Sequence, residues 1–173
     1  MSEQLIDTLA AETLELSDAE LREIDAEIAH APYRQAVAID ALKIVQAHRR
    51  WVSDEALKAL AAYLEMDAAE LDGIATFYNL IFRRPVGENV ILVCNSVSCW
   101  IKGCDKLRDA ITENLGIQPG ETTDDNRFTL LPITCLGACD KAPVMMVGDE
   151  KFEDVTPERI AAILNDREGA TPA

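Results

Sequence analysis

Two cysteine pairs, each set directly after a run of β-branched or leucine-rich residues, constrain this chain more than any other feature. Cys94-x4-Cys99 follows Val90-Ile91-Leu92-Val93, Cys135-x3-Cys139 follows a run beginning at Phe128, and 35 residues separate the pairs. Each run has the composition and length of a buried strand. Two strands ending at one sheet edge bring four sulfurs together in the loops that follow, and four converging thiolates can hold an iron–sulfur cluster or a zinc ion.

Other readings of these residues stay open at this level. Cysteine is among the most buried residue types, so any one of the five can be a small core residue. Four in two close pairs are harder to explain that way, and Gly137 lets the second loop bend its backbone N–H groups toward sulfur. The pair spacings of four and three residues differ from the two of a zinc ribbon, and no Cys-x-x-Cys occurs for thiol–disulfide exchange. Cys104 repeats the x4 interval after Cys99. It is expected at the start of a helix, packed rather than ligating.

Composition excludes some functions. Lys and Arg total 16 against 31 Asp and Glu, and a net charge of -15 has the wrong sign for a phosphate backbone, so no nucleic-acid partner is expected. No apolar run reaches the length of a membrane span, and the first residues lack the basic and apolar regions of a signal peptide, so a cytoplasmic chain without direct membrane insertion is expected. An odd number of cysteines in such a chain favours metal or redox chemistry over a disulfide framework.

In chain order, residues 1–16 read as a mobile lead. Ser17 with Glu20 makes a capping box for a helix through Leu21, Ile24 and Ile28 to about His30. A second helix runs from Arg34 to His48, a third is capped by Ser53 and carries Leu57, Leu60 and Leu64, and Asp67 with Glu70 opens a fourth through Ile74. Residues 17–86 thus form a helical array. The aromatic segment from Phe77, closed by Pro85 and Gly87, marks the change of architecture. Strands are then expected at Val90–Val93, Arg127–Leu131, Val144–Val147 and Lys151–Asp154, with a helix from Lys106 to Leu115 ended by Gly116 and a last helix started by Thr156-Pro157-Glu158. The fold class is α+β: an N-terminal helical array followed by a thioredoxin-like β-α-β-β-β-α domain over residues 87–165, with a frayed tail at 166–173.

The remaining chemistry-bearing residues have mainly structural readings. Met145 and Met146 are strand fillers, and His30 and His48 sit singly near helix ends. Trp100 either packs or shields a bound cluster from water. Arg83 and Arg84 read as a solvated pair that can also mark a partner surface. No phosphate-binding loop, Ser-His-Asp set or HExxH is present, so no catalytic residue is assigned.

With these residues in place, the chain resembles the thioredoxin-like [2Fe-2S] ferredoxin family, in the form of the E subunit of bacterial NADH:quinone oxidoreductase, respiratory complex I. The likeness runs through ALKIVQAHRRWV, GIATFYNLIFRRPVG, the first cysteine pair and NRFTLLPITCLGACDKAPVMM, where Asn126 stands in place of an expected glycine. The resemblance implies that Cys94, Cys99, Cys135 and Cys139 ligate one [2Fe-2S] cluster, with Cys104 outside the motif. It implies an electron-transfer role in which single electrons pass to and from the flavin of a partner, with FMN and NADH bound by that partner subunit and not by this chain. The helical array would embrace the flavin subunit, and the complex would sit peripherally on the cytoplasmic face of the inner membrane. The nearest alternatives are the equivalent subunit of an NAD-reducing hydrogenase or an NAD-dependent formate dehydrogenase, and a structural zinc scaffold.

Overall fold

The computed structural model describes residues 15–168. The expected lead and tail therefore fall largely outside the described residues, although Asp166 to Glu168 belong to a helix. The chain divides between Pro85 and Val86 into two compact units.

Among the described residues the first unit has four α-helices: α1 (Asp18–Ile28), α2 (Ala38–Arg49), α3 (Asp54–Tyr63) and α4 (Ala68–Phe77). A single 3-10 turn, Arg34–Val37, leads into α2, so the expected helix from Arg34 starts in the tighter form. Capping follows the sequence signals. The Ser17 hydroxyl accepts from the Glu20 N–H at 3.3 Å while the Glu20 carboxylate accepts from the Ser17 N–H at 2.7 Å, the two halves of a capping box. The Ser53 hydroxyl accepts from the Ala56 N–H at 3.1 Å, and the Asp67 carboxylate from the Ala69 N–H at 2.8 Å. The apolar faces meet in one core that includes Ile24, Leu42, Leu60, Leu64 and Leu71, each fully buried and each contributing about 2 kcal/mol through area removed from water.

Polar ties hold this unit beyond the apolar core. Arg49 grips the buried Glu20 with two bonds, Nε to Oε1 at 2.6 Å and Nη2 to Oε2 at 2.7 Å. Arg83 donates to Asp72 at 2.8 Å, to Asp54 at 2.6 Å and to the Val52 carbonyl. It is thus a clamp between the segment after α4 and the α3 entry, which corrects the reading of Arg83 as a solvated charge. The Gln46 side chain adds a second fastening, donating to the Leu80 carbonyl at 2.9 Å and accepting from the Phe82 N–H at 2.6 Å.

The second unit is a four-stranded sheet with helices. Its elements are β1 (Asn89–Cys94), α5 (Val97–Ile101), α6 (Cys104–Leu115), β2 (Phe128–Ile133), β3 (Met145–Val147), β4 (Glu150–Phe152) and α7 (Ile160–Glu168), in spatial order β2-β1-β3-β4. β1 and β2 are parallel, as two strands joined by a helical crossover must be. β3 and β4 form an antiparallel hairpin against β1. Alternation along β1 divides its side chains between two apolar clusters: Ile91 and Val93 meet Leu107, Ile111, Ile160 and Leu164, while Leu92 and Cys94 meet Ile133 and Val144. Pro132 is tolerated inside β2 because that strand lies at the sheet edge.

Differences from the expected elements are local. α5 is absent from the sequence reading, because five residues are too short to show a period. α6 starts at Cys104, two residues early, with Gly103 as its cap and Gly116 left-handed at its end. Asn126, where glycine was expected, has φ 57°. Asparagine is one of the few side chains that visit this region readily, so the turn keeps its shape. The Ala142–Pro143 peptide bond is cis.

Candidate metal centre

The parallel register of β1 and β2 decides where the cysteines meet. Cys94 lies opposite Ile133, so both strands terminate at the same end of the sheet, and both cysteine-bearing segments leave from there. The Asn95 N–H bonds the Ile133 carbonyl at 2.9 Å, and the Cys94 N–H bonds the Val144 carbonyl at 3.2 Å. These three strand ends thus frame the site.

The structure brings Cys94, Cys99, Cys135 and Cys139 to this end. Cys94 is the last residue of β1, Cys99 lies within α5, Cys135 is in the loop after β2, and Cys139 opens a 3-10 turn, Cys139–Lys141. The expectation that every one of them occupies a loop is thereby corrected for Cys94, which ends the strand itself, and for Cys99, which the single turn of α5 folds inward. The Cys94 thiol neighbours both Cys99 and Cys135, and the Cys135 and Cys139 sulfurs are 3.6 Å apart. Taken neighbour to neighbour, the four sulfurs run Cys99, Cys94, Cys135, Cys139, and this succession of contacts forms a row. Among the described residues, no three His, Cys, Asp or Glu side chains converge tightly enough to surround one metal ion.

The row is graded from interior to surface. Cys94 and Cys99 are buried, whereas Cys135 and Cys139 are exposed. Burial pushes the Cys99 thiol up to about 11, aided by the neighbouring Cys94 thiol and opposed by a bond from the Val144 backbone. At the exposed end the Gly137 N–H donates to the Cys135 sulfur at 3.4 Å. This bond, with Cys139, Ser96 and Cys94 adding to it, lowers the Cys135 thiol below its ordinary value, and Cys135 in turn raises Cys139. The Ser98 hydroxyl opposes that rise. Four thiols graded in burial, with backbone and hydroxyl donors aimed at sulfur, fit a polythiolate-bound metal group, whose anionic sulfurs need such donors.

Cys104 begins α6 and is 3% exposed; burial raises its thiol, with Asp105 acting in the same direction. Cys104 thus stands at a helix start, where the sequence places it. Trp100 is 61% exposed, so core packing does not account for it. Sequence reasoning missed Ser96 and Ser98, whose hydroxyls meet Cys135 and Cys139. Nothing in a serine's neighbours along the chain signals a contact that forms only when the two segments fold together. Met145 is fully buried in its strand, and His48 pairs with Glu23 at 2.9 Å, so these keep their structural readings.

Comparison with known proteins adds to this geometry. The chain is 48% identical over 153 residues to the E subunit of the NADH-quinone oxidoreductase of Escherichia coli strain K12, covering 88% of this chain and 92% of that protein. Its counterpart from the NADH-quinone oxidoreductase of Pseudomonas aeruginosa is 46% identical over 149 residues, covering 86% and 90%. Among solved structures, an NAD+-reducing [NiFe]-hydrogenase in the H2-reduced state aligns with TM-score 0.67 and 24% identity over 79% of this chain. That alignment spans 23% of the hydrogenase chain and speaks to fold alone. The sequence profile of the thioredoxin-like [2Fe-2S] ferredoxins matches residues 24–168, which take in both units and all four cysteines of the row. The chain therefore belongs to the thioredoxin-like [2Fe-2S] ferredoxin family.

Proposed function

We propose that this chain is the electron-carrying E subunit of an NADH-quinone oxidoreductase, holding one [2Fe-2S] cluster on Cys94, Cys99, Cys135 and Cys139. The observation that carries the proposal is the row of four sulfurs at the common end of β1 and β2. It is supported by 44% to 48% identity to relatives bearing that name, of which the chain spans most. The cluster would supply a one-electron redox couple. The chain's own residues bind it and tune it: Gly137, Ser96 and Ser98 direct donors at the exposed sulfurs, and the buried Cys94 and Cys99 keep water from the inner end.

In this reading the electron partner is the flavin- and NADH-binding subunit of the same complex, which carries FMN and oxidises NADH. This chain shuttles single electrons and is not itself catalytic. Among the described residues no helix is long and apolar enough to cross a membrane. Attachment to the cytoplasmic face of the inner membrane would come through the complex. A zinc scaffold is less well supported, because the pair spacings of four and three residues differ from the two of a zinc ribbon and the family profile that matches the chain is that of [2Fe-2S] ferredoxins. The hydrogenase alternative rests on a fold likeness at 24% identity.

The test is anaerobic purification followed by ultraviolet–visible and electron paramagnetic resonance spectra before and after dithionite, with iron and sulfide assays. The expected outcome is a brown protein with about two irons and two sulfides per chain, paramagnetic on reduction. A colourless chain holding stoichiometric zinc overturns the reading.

A further inference from the structure

The fifth cysteine is the sulfur that the electron-carrying role leaves unused, yet it lies beside the inner end of the row. Cys104 packs in the same apolar cluster as Cys94 and Cys99, and its thiol is within electrostatic reach of both. It follows Cys99 at the interval by which Cys99 follows Cys94. The inner end of the row thus holds three buried sulfurs, Cys94, Cys99 and Cys104, and the outer end two exposed ones, Cys135 and Cys139.

Local structure lets Cys104 change place at small cost. It is the first residue of α6, where backbone N–H groups have no carbonyl partner within the helix and the positive end of the helix favours an anionic sulfur. Lys102 and Gly103 alone separate it from the single turn of α5, and Gly103 is left-handed, with φ 91°. Further along α6, Leu107 and Ile111 are fully buried and anchor the helix, so its first residue can shift without withdrawing the helix from the core. Cys104 also borders a cavity of about 20 Å³ that it shares with Val93, Asn95 and Arg108. Its side chain is therefore not gripped on every side, and moving it forfeits few contacts.

We propose that Cys104 is a reserve ligand, able to take the place of Cys99 on the iron–sulfur group when the Cys99 sulfur is removed or blocked. This rests on the electron-carrying reading above. A bond from the Cys104 sulfur to iron forms in place of the Cys99 bond, and the proton of the Cys104 thiol passes to solvent. No electron moves, so the exchange requires neither oxidant nor reductant. The donor set stays at four thiolates, and its inner end stays buried.

The experiment loads full-length parent chain, Cys104→Ala, Cys99→Ala and the Cys99→Ala, Cys104→Ala double variant with ferrous iron and sulfide without air. Iron and sulfide content, the visible spectrum and the electron paramagnetic resonance spectrum after dithionite are compared. Alanine is used because a serine oxygen can itself bind iron. The expected result is a parental spectrum for Cys104→Ala, roughly half or more of the parental iron with an altered resonance spectrum for Cys99→Ala, and roughly tenfold less iron for the double variant. Should the double variant fail to fold, Cys104→Ser in the Cys99→Ala background carries the test. An oxygen in place of sulfur on iron moves the charge-transfer absorption to shorter wavelength, which a merely packed residue would not do, and an unaltered spectrum overturns the proposal. Cys99→Ala that holds as little iron as Cys135→Ala, beside a parent chain that loads fully, overturns the reserve role and leaves the electron-carrying reading standing. Equal iron and identical spectra in Cys99→Ala and the double variant overturn it too, since another donor then fills the place. Parent chain that holds no iron–sulfur group overturns both readings.

Discussion

Gly137 gives its backbone N–H to the Cys135 sulfur at 3.4 Å, and it can do so because its own backbone is left-handed, with φ 78°. A Cβ at this position would meet no neighbouring atom within 4 Å. The cost of Gly137→Ala is therefore conformational and not steric, about 1 kcal/mol. The expected outcome is a folded protein that still binds the metal group and loses it faster under chelator, followed by the decay of visible absorbance.

Cys135 is the exposed sulfur that contacts Cys139 and neighbours Cys94 in the row. Replacing it by Ser or Ala removes one thiolate of four, and iron content is expected to fall to a minor fraction of the parent's. Iron and sulfide assays read this directly, and full retention of the visible spectrum counts against the ligand assignment.

The acidity of the chain bears on the redox potential. Adding an electron to an anionic site within a chain of -15 is disfavoured, so a midpoint near the plant-type ferredoxin value of about -400 mV is expected. Potentiometric titration monitored by electron paramagnetic resonance measures it, and a positive midpoint contradicts the electrostatic argument.

Glu20 makes the helical unit sensitive to acid. Burial opposes its ionisation, but the Arg49 guanidinium and the Ser17 N–H and hydroxyl outweigh burial and hold the carboxyl below its ordinary value of 4.5. A depressed folded-state pKa contributes stability that is present above the unfolded value and lost as the pH falls through the folded one. Unfolding midpoints in urea are thus expected to decline below about pH 4.5 in the parent and to decline less in Glu20→Gln. The variant itself loses about 3 kcal/mol at neutral pH, the low end for a broken buried pair, since Arg49 keeps 25% of its side chain exposed.

Gly87 sits where the second unit begins, its N–H donating to the buried Thr129 hydroxyl at 2.7 Å. An added Cβ would lie 2.9 Å from the Phe128 nitrogen and 3.0 Å from Arg127 and Asn126 backbone atoms. These neighbours are main chain and cannot swing aside. Gly87→Ala is expected to destabilise the sheet unit by about 2 kcal/mol, as overpacking does, measured by chemical denaturation.

Much of the architecture was readable from local pattern. Ser17 with Glu20, Ser53 and Asp67 named three helix starts because a cap needs only residues two or three apart. The runs ending at Cys94 and in the segment before Cys135 named the two strands whose ends hold the site, because β-branched residues in short apolar runs suit a buried strand. The turn of α5 was not readable, since five residues span little more than one helical period. The inward turn of Cys99, the hydroxyls of Ser96 and Ser98 beside the other pair, and the clamp of Arg83 on Asp54 and Asp72 likewise left no local signal. Sequence alone determined the candidate sulfurs, the order of the longer helices and the strands, and the acidity, since each of these is a property of residue type and short-range spacing. Only the tertiary structure decided which sulfurs lie inside and which outside, and which apolar side chains of α5 face solvent, because the register of β1 against β2 and the packing of segments 35 residues apart set those positions.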